Sequence, residues 1–307
     1  MMNSAKLSNL TQEQLEGLAV QARSYSQGGR LPDYIPLLAQ VNPEWFAVQI
    51  NCTNGQIFRV GETEIPFVLM SVIKPFVLLC LLEEMGREAV FSHVGMQPSD
   101  QPFFSIEQLE ADKGWPRNPM INSGAIALAS LLPGADGFSR CENLRQWLNK
   151  RAGANLVLDK AMLNSVVAAG GGRNRSIAKV MFEFGFLNAP EIAIDTYNHI
   201  CCLAGNISDL AKLGMLLAQE KAGISREHRR IVNALMMNCG LYEASASFAV
   251  KVGLPTKSGV SGALLSIVPS AGAIACYSPA LDYIGNSKAG IFFLEKFTNS
   301  LNLSVFI

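Results

Sequence analysis

Residues 69–82 read LMSVIKPFVLLCLL, a run that is apolar except for Ser71, Lys74 and Pro75. Its apolar residues fall on every face of a helical wheel, which places a helix in the protein interior, running to about Met85 and ended by Gly86. A buried amine without a partner is costly and is driven toward its neutral form. Ser71 stands where an extended stretch enters the helix, near the N–H groups of the helix start. Lys74, three residues on, returns to the same face. The two have the chemistry of a nucleophile and its base, since a desolvated amine can take the serine proton near neutral pH. Taken alone, the stretch is read equally well as a helix cap at Ser71 and a snorkelling Lys74. Pro75 in the first turns reads as a local conflict, and such conflicts gather at functional sites. The same Ser-x-x-Lys spacing recurs at Ser176 and Lys179, on an ordinary amphipathic helix where a solvated lysine is expected.

Working outward, TQEQLEGLAVQAR from Thr11 has a polar cap, a Gln three residues later and helical spacing. WFAVQINCTNGQIFRVGE (45–62) places two alternating, strand-like runs around Asn54-Gly55, a preferred hairpin centre. Residues 100–235 carry mostly helical text, including CENLRQWLNKRAG, RSIAKVMFEFGF, ISDLAKLGMLLAQEKAG and SREHRRIVNALMM. Strand-like text returns in FAVKVGLP, ALLSIVPS and AGAIACYS before a final amphipathic helix near 288–300. The expected fold is α+β: an antiparallel sheet flanked by helices and built from both ends of the chain, with a mostly helical domain inserted. The expected division of 1–307 is a sheet-containing subdomain of about 1–85 and 236–307 and a helical one of about 86–235.

Composition excludes several classes of function. Of 307 residues, 49% are apolar and 16% charged, with 25 basic against 25 acidic side chains. Such a chain buries a large core and shows no footprint for nucleic acid or an anionic membrane. The start lacks the apolar stretch of a secretion signal, and seven cysteines without a CxxC pair fit reduced thiols in a cytoplasm. Three widely spaced histidines (His93, His199, His228) argue against a His-based metal site or a Ser-His-Asp triad. Gly170-Gly171-Gly172 lacks a full nucleotide-binding fingerprint and is read as a loop. Cys201-Cys202 is read as packing.

A second motif separates the readings of Ser71. In VGLPTKSGVSG (252–262), Lys257-Ser258-Gly259 adds a cation and a hydroxyl followed by glycine between strand-like stretches. Serine hydrolases without histidine use such a strand edge to hold substrate and to supply an oxyanion-hole N–H. With both motifs in view, the chain resembles the serine-dependent glutaminases, relatives in fold of β-lactamases and penicillin-binding proteins. The resemblance runs through DYIPLLAQVNPEWFAV, PFVLMSVIKPF, RNPMINSGAIA, GGRNRSIA, NCGLYEASASFAVKVGLPTKSGVSG and SPALDYIGNSKAG, covering roughly residues 33–295. It implies a β-lactamase-like fold and hydrolysis of the side-chain amide of L-glutamine to glutamate and ammonia, without metal or organic cofactor. It further implies Ser71 as nucleophile, Lys74 as base, Tyr242 as proton relay and substrate contact, and the Ser71 and Val260 N–H groups as oxyanion hole. Tyr34, Asn122, Asn174 and Tyr197 would surround the amino-acid substrate, with Lys257 and Ser258 supporting. A homodimer or homotetramer is the expected assembly.

One departure bears on substrate choice. The family carries a glutamate just after the serine of the segment matching LNSVVAAGGGRN, where it binds the substrate's α-ammonium. Here Ser165 is followed by Val166 and Val167, and the path to Arg173-Asn174 is one residue longer. Glu243 or Asp195 would have to compensate. Otherwise the chain is an amidase of altered range or an inactive amino-acid-binding relative; a β-lactam-interacting hydrolase is the remaining alternative. Met70, in place of a frequent amide side chain, also alters the mouth of the site.

Overall fold

Asn54-Gly55 turns the chain as its residue types require. Gly55 adopts φ +90°, and the Cys52 N–H donates to Gln56 O across the turn at 2.9 Å. The turn joins β1 (Ala47–Cys52) to β2 (Ile57–Gly61), antiparallel, with Ile50 opposite Phe58. In the computed structural model, which describes residues 6–220 and 223–306, β1 pairs on its other side with a strand from the far end of the chain. The sheet continues through β8 (Gly272–Tyr277), β7 (Ala263–Val268) and β6 (Thr256–Ser258), giving the order β2-β1-β8-β7-β6 with every neighbour antiparallel.

Only β2 shows the half-exposed pattern expected of both hairpin strands. β1 is buried along its whole length, as are β7 and β8. The reason is that both faces of the sheet are covered, and side chains pointing to opposite faces enter different cores. Val48, Ile50, Leu264 and Ile274 pack with Leu15 and Ala19 of α1 (Gln12–Ser24) and Phe293 and Phe297 of α13 (Lys288–Leu301). Ala47, Leu265, Ala273 and Ala275 face a larger core that includes Leu210 and Leu213 of α10 (Ile207–Ala218). α1 starts at the capping box read from the sequence, Thr11 with Gln14.

The interior helix α2 (Lys74–Met85) is buried from Lys74 through Leu82 and ends before Gly86. It is surrounded by α5 (Asn122–Ala129), α6 (Gly137–Ala152) and α11 (Arg226–Cys239). A second sheet, with no counterpart in the sequence reading, joins β3 (Phe67–Val68), β5 (Leu203–Gly205) and β4 (Val157–Leu158) in the order β3-β5-β4. It holds the chain just ahead of Ser71, where the Leu69 N–H donates to Leu203 O at 2.8 Å.

Two local expectations are corrected. FAVKVGLP is not a strand: α12 (Ser245–Lys251) occupies its first half and β6 begins only at Thr256. Phe248 is buried there while Val250 is 89% exposed, so residues two apart do not share a face as a strand demands. Pro75 is not a conflict either. It is the second residue of α2, where its missing N–H had no helical acceptor. The strain lies at Met70, with φ +45°. Each of the seven cysteines is free and buried, and among the described residues no helix is long and apolar enough to cross a membrane.

Candidate active site

Ser71 lies in a 3-10 turn, Met70–Ile73, that feeds directly into α2. A left-handed conformation at a non-glycine residue costs on the order of 1–3 kcal/mol and persists only where the surroundings impose it. Of the five such residues described, Met70 and Tyr242 (φ +58°) both belong to this region. The Met70 turn is held by β5 on one side and by Gly259 on the other. A Cβ on Gly259 would lie 2.7 Å from Leu69 O and 3.4 Å from Ser71 N, so only glycine allows this approach. Val260 is thereby carried next to the Ser71 turn. Among the described residues neither the Ser71 nor the Val260 backbone N–H finds an acceptor.

Lys74 is 2% exposed. Its Nζ donates to Asn122 Oδ1 at 2.9 Å and to Met120 O at 3.1 Å, and not to Ser71. It also lies over the Tyr197 ring, 5.8 Å from the centroid. Desolvation pushes its pKa down to about 8, with the nearby Cys201 thiol acting weakly the other way. Asn122 extends the chain of contacts. It accepts from Tyr197 Oη at 3.2 Å and donates through Nδ2 to Asn174 Oδ1 at 2.9 Å. The Met120 carbonyl is presented by a turn around fully buried Asn118, whose Oδ1 accepts from the Met120 and Ile121 N–H groups.

Lys257 is completely buried, donating to Gly240 O at 3.1 Å and Ser258 O at 2.6 Å beneath the Tyr242 ring. Burial and the positive charge of Lys74 both drive its pKa down. Neither buried amine forms an ion pair with a described carboxylate. Tyr242 stacks on Phe103, centroids 4.3 Å apart. Its hydroxyl is buried without a partner in hydrogen-bonding geometry. It nevertheless lies near the Ser258 and Ser71 hydroxyls, and burial is the main cause that pushes its pKa up. The contact is therefore poised rather than made.

Tyr34 is 57% exposed at the rim, its hydroxyl coupled electrostatically to those of Tyr197 and Tyr242. The structure brings most of the expected residues together: Gly259 carries Val260 against the Ser71 turn near Tyr242, and Lys74, Asn122, Asn174 and Tyr197 form one chain of contacts. The other Ser-x-x-Lys pair is ordinary surface: Lys179 is exposed beside Glu183. Asp195 does not enter the site. Its carboxylate accepts from the Gly137 N–H at the start of α6 and faces His199, because two helical residues turn it about 200° from Tyr197. Glu243 is exposed beside Tyr242. Ser165 and Val166 lie in α7 (Lys160–Ala168), which is tied to the Tyr34 loop by the Leu37 N–H donating to Ser165 Oγ at 3.2 Å. Val166 is half-buried against the core. Among the described residues no three His, Cys, Asp or Glu side chains gather as metal ligands would.

The sequence reading missed Asn118, the Met120 and Gly240 carbonyls and Phe103. Backbone carbonyls carry no signature in residue type, and Asn118 acts from a distant loop.

Comparison with known proteins gives one answer. Residues 29–306 match the family model described as Glutaminase. A glutaminase of Synechocystis is 42% identical over 93% of this chain and 88% of its own length. One from Clostridium tetani is 36% identical over 97% and 100%. Among solved structures, "Probable glutaminase ybaS" superposes with a TM-score of 0.89 at 33% identity, covering 97% of this chain and 99% of that one. A probable glutaminase from Bacillus subtilis complexed with 6-diazo-5-oxo-L-norleucine gives 0.88 at 28%, covering 97% of each.

Proposed function

The chain belongs to the glutaminase family, and from that premise we propose that it hydrolyses L-glutamine to L-glutamate and ammonia through an acyl-enzyme on Ser71. The observation that carries the reading is the arrangement around Lys74. A neutral amine has two N–H donors and one lone pair. Met120 O and Asn122 Oδ1 accept two hydrogen bonds from Nζ, which leaves the lone pair for the Ser71 proton. Burial that lowers the Lys74 pKa to about 8 makes this neutral form accessible near physiological pH.

In the first half-reaction Lys74 takes the Ser71 proton and the oxygen attacks the side-chain amide carbon. The unpaired N–H groups of Ser71 and Val260 receive the developing oxyanion, each such donor being worth ~3 kcal/mol. Tyr242, kept as a phenol by burial, passes a proton to the leaving ammonia. Water then cleaves the acyl-enzyme by the reverse relay. Tyr34, Asn122, Asn174 and Tyr197 orient the amino-acid part with neutral amides and phenols, while Lys257 and Ser258 hold the strand edge. Seven buried free thiols fit a reducing cytoplasm, and a homodimer or homotetramer is the proposed assembly.

Ser71→Ala tests the assignment: ammonia release from glutamine is lost while thermal unfolding is unchanged. Near-wild-type turnover in that variant contradicts it. A second reading, an amidase of broader range, draws on Val166, which offers an apolar surface beside the Tyr34 loop where an ammonium would need a carboxylate.

A further inference from the structure

Asn286 is fully buried on the loop that follows β8, and the reading above gives it no task. It is tied on four sides. Its N–H donates to Asp282 Oδ1 at 2.9 Å and its carbonyl accepts from the Asp282 N–H at 2.8 Å. Its side-chain Nδ2 donates to Leu241 O at 3.5 Å, and its Oδ1 accepts from Ser258 Oγ at 2.6 Å. The Asp282 carboxylate also gathers the Ile284 and Gly285 N–H groups, which closes residues 282–286 into a tight loop. Gly285 of that loop faces both reaction groups: a Cβ there would lie 3.8 Å from Tyr242 Cε2 and 4.0 Å from Val260 Cγ1.

The orientation of the amide follows from its partners. Leu241 O can only accept, so the NH2 group must face it and the oxygen must face Ser258. Ser258 is then obliged to spend its one proton on Asn286. Toward Tyr242 it can only accept.

Resting on the glutaminase reading, we propose that Asn286 is a positioning residue for catalysis. It clamps the Tyr242 turn to Ser258 at the end of β6, and it fixes the Ser258 proton so that Ser258 acts on Tyr242 solely as an acceptor. With no donor from Ser258 to stabilise a phenolate, Tyr242 keeps its proton until the leaving amine takes it. Without Asn286, Ser258 can turn its proton toward the Tyr242 oxygen, and the turn bearing Tyr242 loses its side-chain tie through Leu241.

Kinetics of Asn286→Ala and Asn286→Asp, alone and combined with Tyr242→Phe, test this. For Asn286→Ala the expected result is a 10- to 100-fold fall in kcat for glutamine with KM changed less than threefold. Asn286→Asp keeps the acceptor for Ser258 but sets an oxygen against Leu241 O. Protonation of Lys74 lowers activity in every variant as the pH falls, so the readout is the ratio of the Asp variant's kcat to that of wild type at the same pH. That ratio should rise as the pH falls and the carboxyl protonates to regain the donor. The Asn286→Ala/Tyr242→Phe double variant should be no slower than Tyr242→Phe alone, since one residue acts through the other. Thermal unfolding of each variant reports folding, and the Asp variant carries the test if the Ala variant is unfolded. The proposal is overturned by a kcat within twofold of wild type in folded Asn286→Ala, by an effect confined to KM, by additive losses in the double variant, or by an Asp variant whose kcat stays in constant ratio to wild type across the pH range. A fully active Tyr242→Phe would instead refute the relay role of Tyr242 and leave the Asn286→Ala result as the test of the clamp.

Discussion

Asn122→Asp puts the central electrostatic argument under direct strain. Asn122 Oδ1 lies 2.9 Å from Lys74 Nζ in a site where no described carboxylate pairs with the amine. A charged oxygen at that distance interacts with an ammonium by ~6 kcal/mol at an effective dielectric constant of about 20. Opposite charges this close shift measured pKa values by about 1–3 units. With a shift of about two units, the Lys74 pKa moves from about 8 to about 10. Near pH 8 the free-amine fraction then falls from about one half to about 1%, and kcat/KM falls ~50-fold. The assay is the initial rate of ammonia release from glutamine across the pH range. Wild type should rise with pH and level off above about 8, whereas the variant should recover only at about two units higher. The Asn174 amide can rotate to meet the new carboxylate, so the fold is expected to survive. A variant profile that inflects at the wild-type pH and is lowered uniformly would refute the reasoning, as would a wild-type rate that is flat through this window.

Lys74→Met should abolish activity yet stabilise the protein. The lysine pKa is lower folded, about 8, than unfolded, so the unfolded chain binds more protons between the two values and wild-type stability climbs with pH there. Below that window the buried amine costs ~3 kcal/mol, partly offset by its two hydrogen bonds at about 1 kcal/mol each. Denaturant unfolding should show the Met variant ~1–2 kcal/mol more stable near neutrality, the gain fading toward the unfolded lysine pKa; a loss of stability that ignores pH would contradict this. Val166→Glu supplies a carboxylate at the half-buried edge of α7, and KM for glutamine should fall at least tenfold with little change in kcat, since a buried charge pair is worth ~2–5 kcal/mol. An unchanged KM would dispose of the idea that Val166 weakens substrate binding.

The elements most legible in the sequence were those whose local chemistry and tertiary demand agree. Asn54-Gly55 turns, Thr11 caps and the 69–82 run is an interior helix because each segment wants what the fold requires of it. FAVKVGLP failed for the opposite reason: two valines suggested a strand, but Phe248 alone has a core to enter while Val250 faces solvent. β1 misled by position rather than type, since its alternation distinguishes two cores rather than core from water. Of the candidate site, the motifs are legible in the sequence and their setting is not. Short-range spacing puts Ser71 and Lys74 on one helical face, but the Met120 carbonyl, the Gly259 approach and the Asn286 contacts are brought together only by closing the chain.

The most direct measurement is the rate and place of covalent labelling by 6-diazo-5-oxo-L-norleucine as a function of pH, read by mapping the modified peptide. The related Bacillus subtilis glutaminase YbgJ forms a covalent complex by reaction with this compound. Here the label should fall on Ser71, at a rate that rises with pH and levels off above about 8 as Lys74 loses its proton. A label on any other residue, or a Ser71 label whose rate does not change through that range, would contradict a serine activated by a buried neutral lysine.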